Sequence, residues 1–235
     1  MNKQLYLSLT SLTLLIVLIV SCEKDFKETE KPAPPPVVSK SYKESFDTVG
    51  NIAKKGWVII NNSDPVGPTA WRQGRFEYGG KLGDEVVGFP AYSGTFSQNE
   101  YVSVDMNCGA GAAVLSAWLI SPPTDMKNGD VFTFYSRSKG DYADRMQVWL
   151  NTSTSNANPG KGATATGDFS IKLLDINESM GVDYPIEWTK YTFTLAGITG
   201  TVKGRIAFRY FIEDGGPGGS YGDQVGIDDF EFTSK

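Results

Sequence analysis

The sequence predicts an all-β domain, a sandwich or jelly roll, and three observations carry that expectation. Apolar and polar residues alternate in short runs, helical periodicity is scarce, and glycine- or proline-bearing turns separate the runs. Within 188–195, Tyr191, Phe193 and Leu195 take one face while Lys190, Thr192 and Thr194 take the other. Within 205–212, Ile206, Phe208, Tyr210 and Ile212 oppose Arg205, Ala207 and Arg209. A period of two marks a strand with one buried face. Further strands are expected at 42–46, 57–60, 118–120, 131–137, 146–150, 170–175 and 225–232. Turns are expected at 64–68, 122–123, 128–130, 158–160 and 214–222. The last turn is rich in glycine but lacks the Gly-Lys-Ser/Thr ending of a phosphate loop, so it reads as a flexible connection. Asp141 and Tyr142, beside Asp144-Arg145, read as a solvated corner.

The final strand breaks its own alternation. Val225 and Ile227 are followed by Phe230 and Phe232, with Asp228-Asp229 between them where one residue is expected. All four apolar side chains face inward only if the strand bulges at the acidic pair. Bulges recur beside binding sites, although edge strands also collect aspartates for solubility.

The amino-terminal residues predict where the protein works. Lys3 gives a positive start, 12–20 is almost wholly apolar, and Ile19-Val20-Ser21-Cys22 closes the run. The run is short of the ~20 apolar residues that span a bilayer. A charged start, a short apolar middle and a small residue at the exit describe a secretory signal. The tetrapeptide resembles the lipobox of bacterial lipoproteins, which implies cleavage before Cys22 and lipid, palmitate included, on its thiol. Ordinary cleavage and a retained anchor helix are the alternatives. Stable anchoring takes more than one acyl chain. Glu23-Lys24-Asp25 resembles the surface-export signal of some Gram-negative lipoproteins, and also suits a solvated tether. Pro32-Ala33-Pro34-Pro35-Pro36 then predicts a stiff polyproline spacer in a linker too polar to fold. The expected organisation is a signal peptide at 1–21, a disordered proline-rich tether at 22–40 and one domain at 41–235.

Composition removes several function classes. The net charge of -5 argues against nucleic acid or an anionic membrane surface as partner. The chain has no histidine, which removes His-based hydrolysis, His-ligated metals and imidazole proton shuttling. With Cys22 lipidated, Cys108 has no intrachain partner and reads as a buried, unreactive thiol. The Glu-x-Asp-x-x-Glu spacing of jelly-roll glucanases is absent, so catalysis is not expected.

An ordered series of segments carries a family resemblance. It opens with Glu44-Ser45-Phe46-Asp47, Gly56-Trp57-Val58-Ile59-Ile60-Asn61-Asn62 and Thr69-Ala70-Trp71-Arg72-Gln73-Gly74. It continues with Trp118-Leu119-Ile120-Ser121-Pro122-Pro123, Asn128-Gly129-Asp130-Val131-Phe132-Thr133-Phe134 and Asp144-Arg145-Met146-Gln147-Val148-Trp149-Leu150. Trp188-Thr189-Lys190-Tyr191, Gly204-Arg205-Ile206-Ala207-Phe208-Arg209-Tyr210 and Gly226-Ile227-Asp228-Asp229 close it. Nearly all of 42–235 thereby resembles the choice-of-anchor J domain family, a relative of cleaved-adhesin domains. The resemblance implies a galactose-binding-like β jelly roll on an extracellular protein, here anchored by lipid. It also implies relatives that act as adhesins on proteins, cells or glycans, some holding calcium structurally.

Two sets of residues are candidate sites. Tyr42, Glu44 and Phe46 share a face of the first strand, so Glu44 points with core aromatics. An inward carboxylate is costly unless paired or metal-bound. First and last strands lie close in jelly rolls of this type, which brings Glu44 and Asp47 near Asp228 and Asp229. Ca²⁺ accepts about 6–8 oxygen ligands in flexible geometry, so a structural Ca²⁺ on these four carboxylates is one expectation. Pairing with Arg205 or Arg209, or bonding to backbone amides, is the other. The stretch 71–101 holds Trp71, Phe76, Tyr78, Phe89, Tyr92, Phe96 and Tyr101. Core packing is expected for most, and Trp71, Tyr78 and Tyr92 are the candidates for stacking on a sugar.

The expected function is a lipid-anchored, non-catalytic binding or adhesion module on the outer membrane, exposed at the cell surface, with a glycan or protein ligand. A carbohydrate-binding accessory of a glycan-uptake system is the alternative. A glycoside hydrolase or lyase is the third reading.

Overall fold

The computed structural model describes residues 40–77 and 87–235. The strands are β1 (Tyr42–Glu44), β2 (Val58–Asn61), β3 (Asp64–Val66), β4 (Arg72–Gln73), β5 (Phe76–Glu77), β6 (Val87–Gly88) and β7 (Val102–Asp105). They continue as β8 (Gly109–Ile120), β9 (Thr124–Met126), β10 (Val131–Ser138), β11 (Met146–Asn151), β12 (Ile171–Ile176), β13 (Thr189–Thr194), β14 (Val202–Gly215) and β15 (Gln224–Thr233).

Two antiparallel sheets face each other. The first runs β13-β10-β15-β7-β4, with β1 also paired to β15. The second runs β12-β11-β14-β8-β2, with β3 beside β8 and β9 beside β14. This is the jelly-roll sandwich, and the alternating residues explain it. Phe132 and Phe134 of β10, Phe208 and Tyr210 of β14, and Phe230 and Phe232 of β15 all show no exposure. Phe134 meets Phe208 edge-on at 4.8 Å, and Trp57 meets Phe230 edge-on at 5.3 Å. Interlocked rings of this kind bury large apolar area and fix the sheet spacing.

β15 bulges at the acidic pair. Opposite Thr133 and Tyr135 of β10 stand Glu231 and Asp228, so β15 carries one extra residue there, and Asp229 adopts φ +46. Left-handed backbone of this kind is tolerated by aspartate better than by most side chains. Val225, Ile227, Phe230 and Phe232 all reach the core as a result.

The second sheet differs from the expectation of one buried face. Ala207, Arg209 and Phe211 on the outer side of β14 are buried as well. The connection between β11 and β12 covers them: Phe169 packs on Trp118 at 5.4 Å. Arg209 holds this cover down. Its guanidinium lies 3.9 Å from the Phe211 ring and 5.0 Å from Trp118. It donates to Ser116 Oγ at 3.0 Å, to Gln147 Oε1 at 3.2 Å and to the carbonyl of Ala163 in the cover. Arg205 adds bonds to the carbonyls of Ser155, Gly56 and Ser121.

Other local expectations change too. The 214–222 turn is bonded in place: Ser220 and Tyr221 donate to the Asp214 carbonyl, and Gly218 donates to Gly111. β8 starts inside the small-residue stretch, at Gly109, and a 3₁₀ segment (Val49–Lys55) precedes β2. Arg209→Leu leaves buried acceptors without a donor, each costing about 1–3 kcal/mol. We expect a urea midpoint lowered accordingly; an unchanged midpoint would show that the cover does not depend on this guanidinium.

Candidate functional site

The bulge turns Asp228 away from the core, onto the outer face of the first sheet. There it shows no exposure, because the segment from Phe89 to Ser93 lies over it. Asp228 Oδ2 accepts the backbone N–H of Tyr92 at 3.0 Å and of Ser93 at 3.2 Å, and Oδ1 accepts that of Asp229 at 2.8 Å. Burial pushes this carboxyl up to about 7, against the opposing pull of the amides. Gly226 completes the seat, since a Cβ there would stand 2.8 Å from Phe89 and 3.0 Å from Trp188.

The seated segment brings a ring into the open. Tyr92 is 44% exposed and stacks on Tyr135 with centroids 3.7 Å apart. Behind it Phe89 stacks on Tyr101 at 5.0 Å, and Trp188 donates from Nε1 to the Pro90 carbonyl at 2.9 Å. Beside Tyr92 runs an open groove of about 450 Å³. Its floor follows from strand register. Lys43, Glu231, Thr133 and Thr192 align across β1, β15, β10 and β13. Lys190 and Asp228 flank Tyr135 in the next row, with Lys190 Nζ 5.6 Å from the Tyr135 ring. Lys43 pairs with Glu231 at 3.1 Å and Lys55 with Glu44 at 3.0 Å. Lys190 and Asp229 line the groove without an ion pair among the described residues.

The four carboxylates expected to hold Ca²⁺ do not form a ligand set. Among the described residues no group of three or more acidic or cysteine side chains converges to hold a metal. Glu44 is buried as expected, and β1 does lie against β15. Glu44 Oε1, however, accepts from Phe46 N at 3.2 Å and from Lys55 Nζ at 3.1 Å. Glu44 Oε2 is buried without a hydrogen bond, although Lys55 Nζ stands 3.0 Å away in poor alignment. Asp47 is exposed, Asp228 is taken by amides, and neither Arg205 nor Arg209 reaches these groups. Backbone amides and a lysine therefore answer the buried charges.

Of the aromatic candidates, Trp71 is corrected. It is 3% exposed and donates from Nε1 to the Ala117 carbonyl at 3.0 Å, so neither ring face meets solvent. Tyr78 lies outside the described residues. Tyr92 is exposed, with one ring face against Tyr135. Sequence reasoning missed Tyr135, which alternation alone places outward on β10, and Lys190 beside it. It also missed Asp144, which is fully buried rather than part of the solvated corner. Asp144 Oδ1 accepts from the Tyr210 hydroxyl at 2.6 Å and from Asp223 N at 2.9 Å. Burial pushes Asp144 up to about 7 and the Cys108 thiol up to about 12.

No protein-family model matches the sequence, and no curated protein matches it. Solved structures do. The K1 cleaved adhesin domain of Lys-gingipain from Porphyromonas gingivalis W83 matches with TM-score 0.50 at 19% identity, covering 84% of this chain and 99% of that one. The K3 cleaved adhesin domain of the same protein gives 0.47 at 16%, covering 82% and 98%. TmCBM61, in complex with β-1,4-galactotriose, gives 0.38 at 12%, covering 82% and 99%. At these identities the likeness to the K1 domain is one of fold: the chain shares the β-sandwich of a cleaved adhesin domain.

Asp144 and Asp228 both sit well above the ~3.9 of an exposed aspartate. Between that value and about 7 the native protein holds protons that the unfolded chain has released. Stability therefore falls as pH rises through this interval and levels off above it. We expect a higher thermal midpoint at about pH 5 than at about pH 8, with the difference flattened by combining Asp144→Asn and Asp228→Asn. A midpoint that climbs over the interval would contradict these assignments.

Proposed function

We propose that this chain is a non-catalytic binding module, held at the cell surface by lipid on Cys22, whose ligand is a glycan stacked on Tyr92. One observation carries the glycan reading. The groove beside Tyr92 is lined by no Ala, Val, Leu, Ile or Met, and the Tyr92 and Tyr135 rings border it. Around the rings stand Thr133, Lys190, Asp229 and Glu231, groups that bond hydroxyls. A pyranose has the same division, with an apolar ring face and a rim of hydroxyls.

The carboxylates favour holding over cutting. Glycoside hydrolysis needs two carboxyl groups about 5–10 Å apart, one on each side of the scissile bond. Glu44 is buried against Lys55 and Glu231 pairs with Lys43, which leaves Asp229 without a partner carboxylate of matching freedom. The lipid anchor rests on the sequence from Lys3 to Cys22 and the spacer behind it. The outer membrane, facing outward, is the location this arrangement serves.

A protein ligand is the second reading, favoured by a different patch. Tyr142, Val182 and Ile186 are 62%, 96% and 56% exposed around a cavity of about 520 Å³. Val182→Asp should abolish adhesion through that patch and leave sugar binding intact.

Two measurements test the main reading. On a glycan array the protein should bind at least one sugar, and Tyr92→Ala should weaken that binding about tenfold, or ~1.4 kcal/mol. Silence across the array would remove the glycan. Cys22→Ser should move the protein from the membrane fraction to the soluble fraction; continued membrane association would remove the anchor.

A further inference from the structure

Four residues beyond Tyr92, on the same loop, Phe96 stands 92% exposed, second only to Val182 among the large apolar side chains of the described residues. Among the described residues its ring makes no aromatic contact. Leaving a phenyl ring in water forgoes the stabilisation that its burial would give. The loop nonetheless holds it there through its backbone. Glu100, 6% exposed, accepts the N–H of Thr95 and that of Phe96, the latter at 3.1 and 3.2 Å. Asp228 accepts those of Tyr92 and Ser93 at the other side of the turn. Ala91 N donates to the Gln98 carbonyl at 2.8 Å, closing the loop. A Cβ on Gly94 would stand 2.2 Å from the Ser97 carbonyl oxygen, so only glycine permits this turn. Two buried carboxylates are thus committed to the main chain of five residues, and burying a carboxylate is costly unless it is bonded. The result is a preorganised arm with a ring at each end, and preorganisation lowers the cost of binding.

We infer that Phe96 is a second stacking position, so that the site takes an oligosaccharide of at least two rings and discriminates against a single sugar. The inference rests on the glycan reading of Tyr92. Residues four apart are separated by at most ~14 Å, even fully extended, and the turn at Gly94 shortens that distance. A saccharide chain lying on Tyr92 and running toward the arm meets Phe96 next. Stacking is tolerant of ring identity, so the second position adds affinity for chain length while Lys190, Asp229 and Thr133 read the first ring.

The test uses the full-length protein in detergent, run in native gels that each contain one polysaccharide: a β-galactan, xylan, a β-mannan or a β-glucan. We expect retardation by at least one of them, weakened about tenfold in Tyr92→Ala, about fivefold in Phe96→Ala, and retained in Phe96→Trp. The trisaccharide of the retarding polymer should compete and its monosaccharide should not. Retardation that needs Tyr92 but is unchanged in Phe96→Ala overturns the inference and leaves the glycan reading standing. Retardation by none of these polymers, with thermal unfolding showing a folded protein, overturns both.

Discussion

One extra residue in the last strand organises this molecule. Side chains in a strand alternate, so a segment that slips by one residue turns its whole apolar set outward. β15 must bury Val225 and Ile227 at one end and Phe230 and Phe232 at the other, and those pairs are out of phase. Asp229, in left-handed backbone, absorbs the mismatch. The price of a continuous core is an aspartate, Asp228, turned onto the opposite face with nothing to neutralise it locally. The backbone amides of Tyr92 and Ser93 supply the answer. Core packing, the position of the 89–93 segment and the exposure of Tyr92 are linked through one carboxylate.

Both sheets carry a second layer, and the two layers differ in chemistry. Over β14 the cover is tied by guanidinium groups: Arg209 between Trp118 and Phe211, and Arg205 on three carbonyls. Over β10 and β15 the cover is aromatic, with Phe89 and Trp188 over Gly226, Tyr101 against both, and Tyr92 on Tyr135. The first layer seals its sheet. The second stops short and leaves Tyr92 half in solvent, with a polar groove beside it. That asymmetry leaves one face of the sandwich sealed and the other with an open groove.

Much of the sandwich was legible in the residues. Alternation at 191–195 and 206–212 marked strands that the structure contains, and the doubled aspartate marked the bulge. What escaped has physical causes. Arg209 sits where alternation predicts solvent, because a cover from distant sequence buries it, and period-two patterns carry no record of such covers. Trp71 looked like a sugar platform because composition cannot tell an open ring from a buried one; its indole N–H had already found Ala117. The crowding of carboxylates is visible in the residues and is compatible with either a metal or backbone amides; which amides reach Asp228 depends on the distant 92–93 segment. Tyr135 was within reach, since it is the outward residue between Phe134 and Ser136, and it needed only the knowledge that another ring would land on it.

The arm between Ala91 and Glu100 is fixed by main-chain N–H groups, and N–H groups are the same whatever side chain they carry. Glycine is required at one position only, Gly94. The side chains of Ser93, Thr95 and Phe96 take no part in these bonds, while the Tyr92 ring adds a stacking contact with Tyr135. Displayed side chains and loop architecture are therefore separable here: an exposed residue such as Phe96 can be exchanged with the sandwich beneath left unaltered.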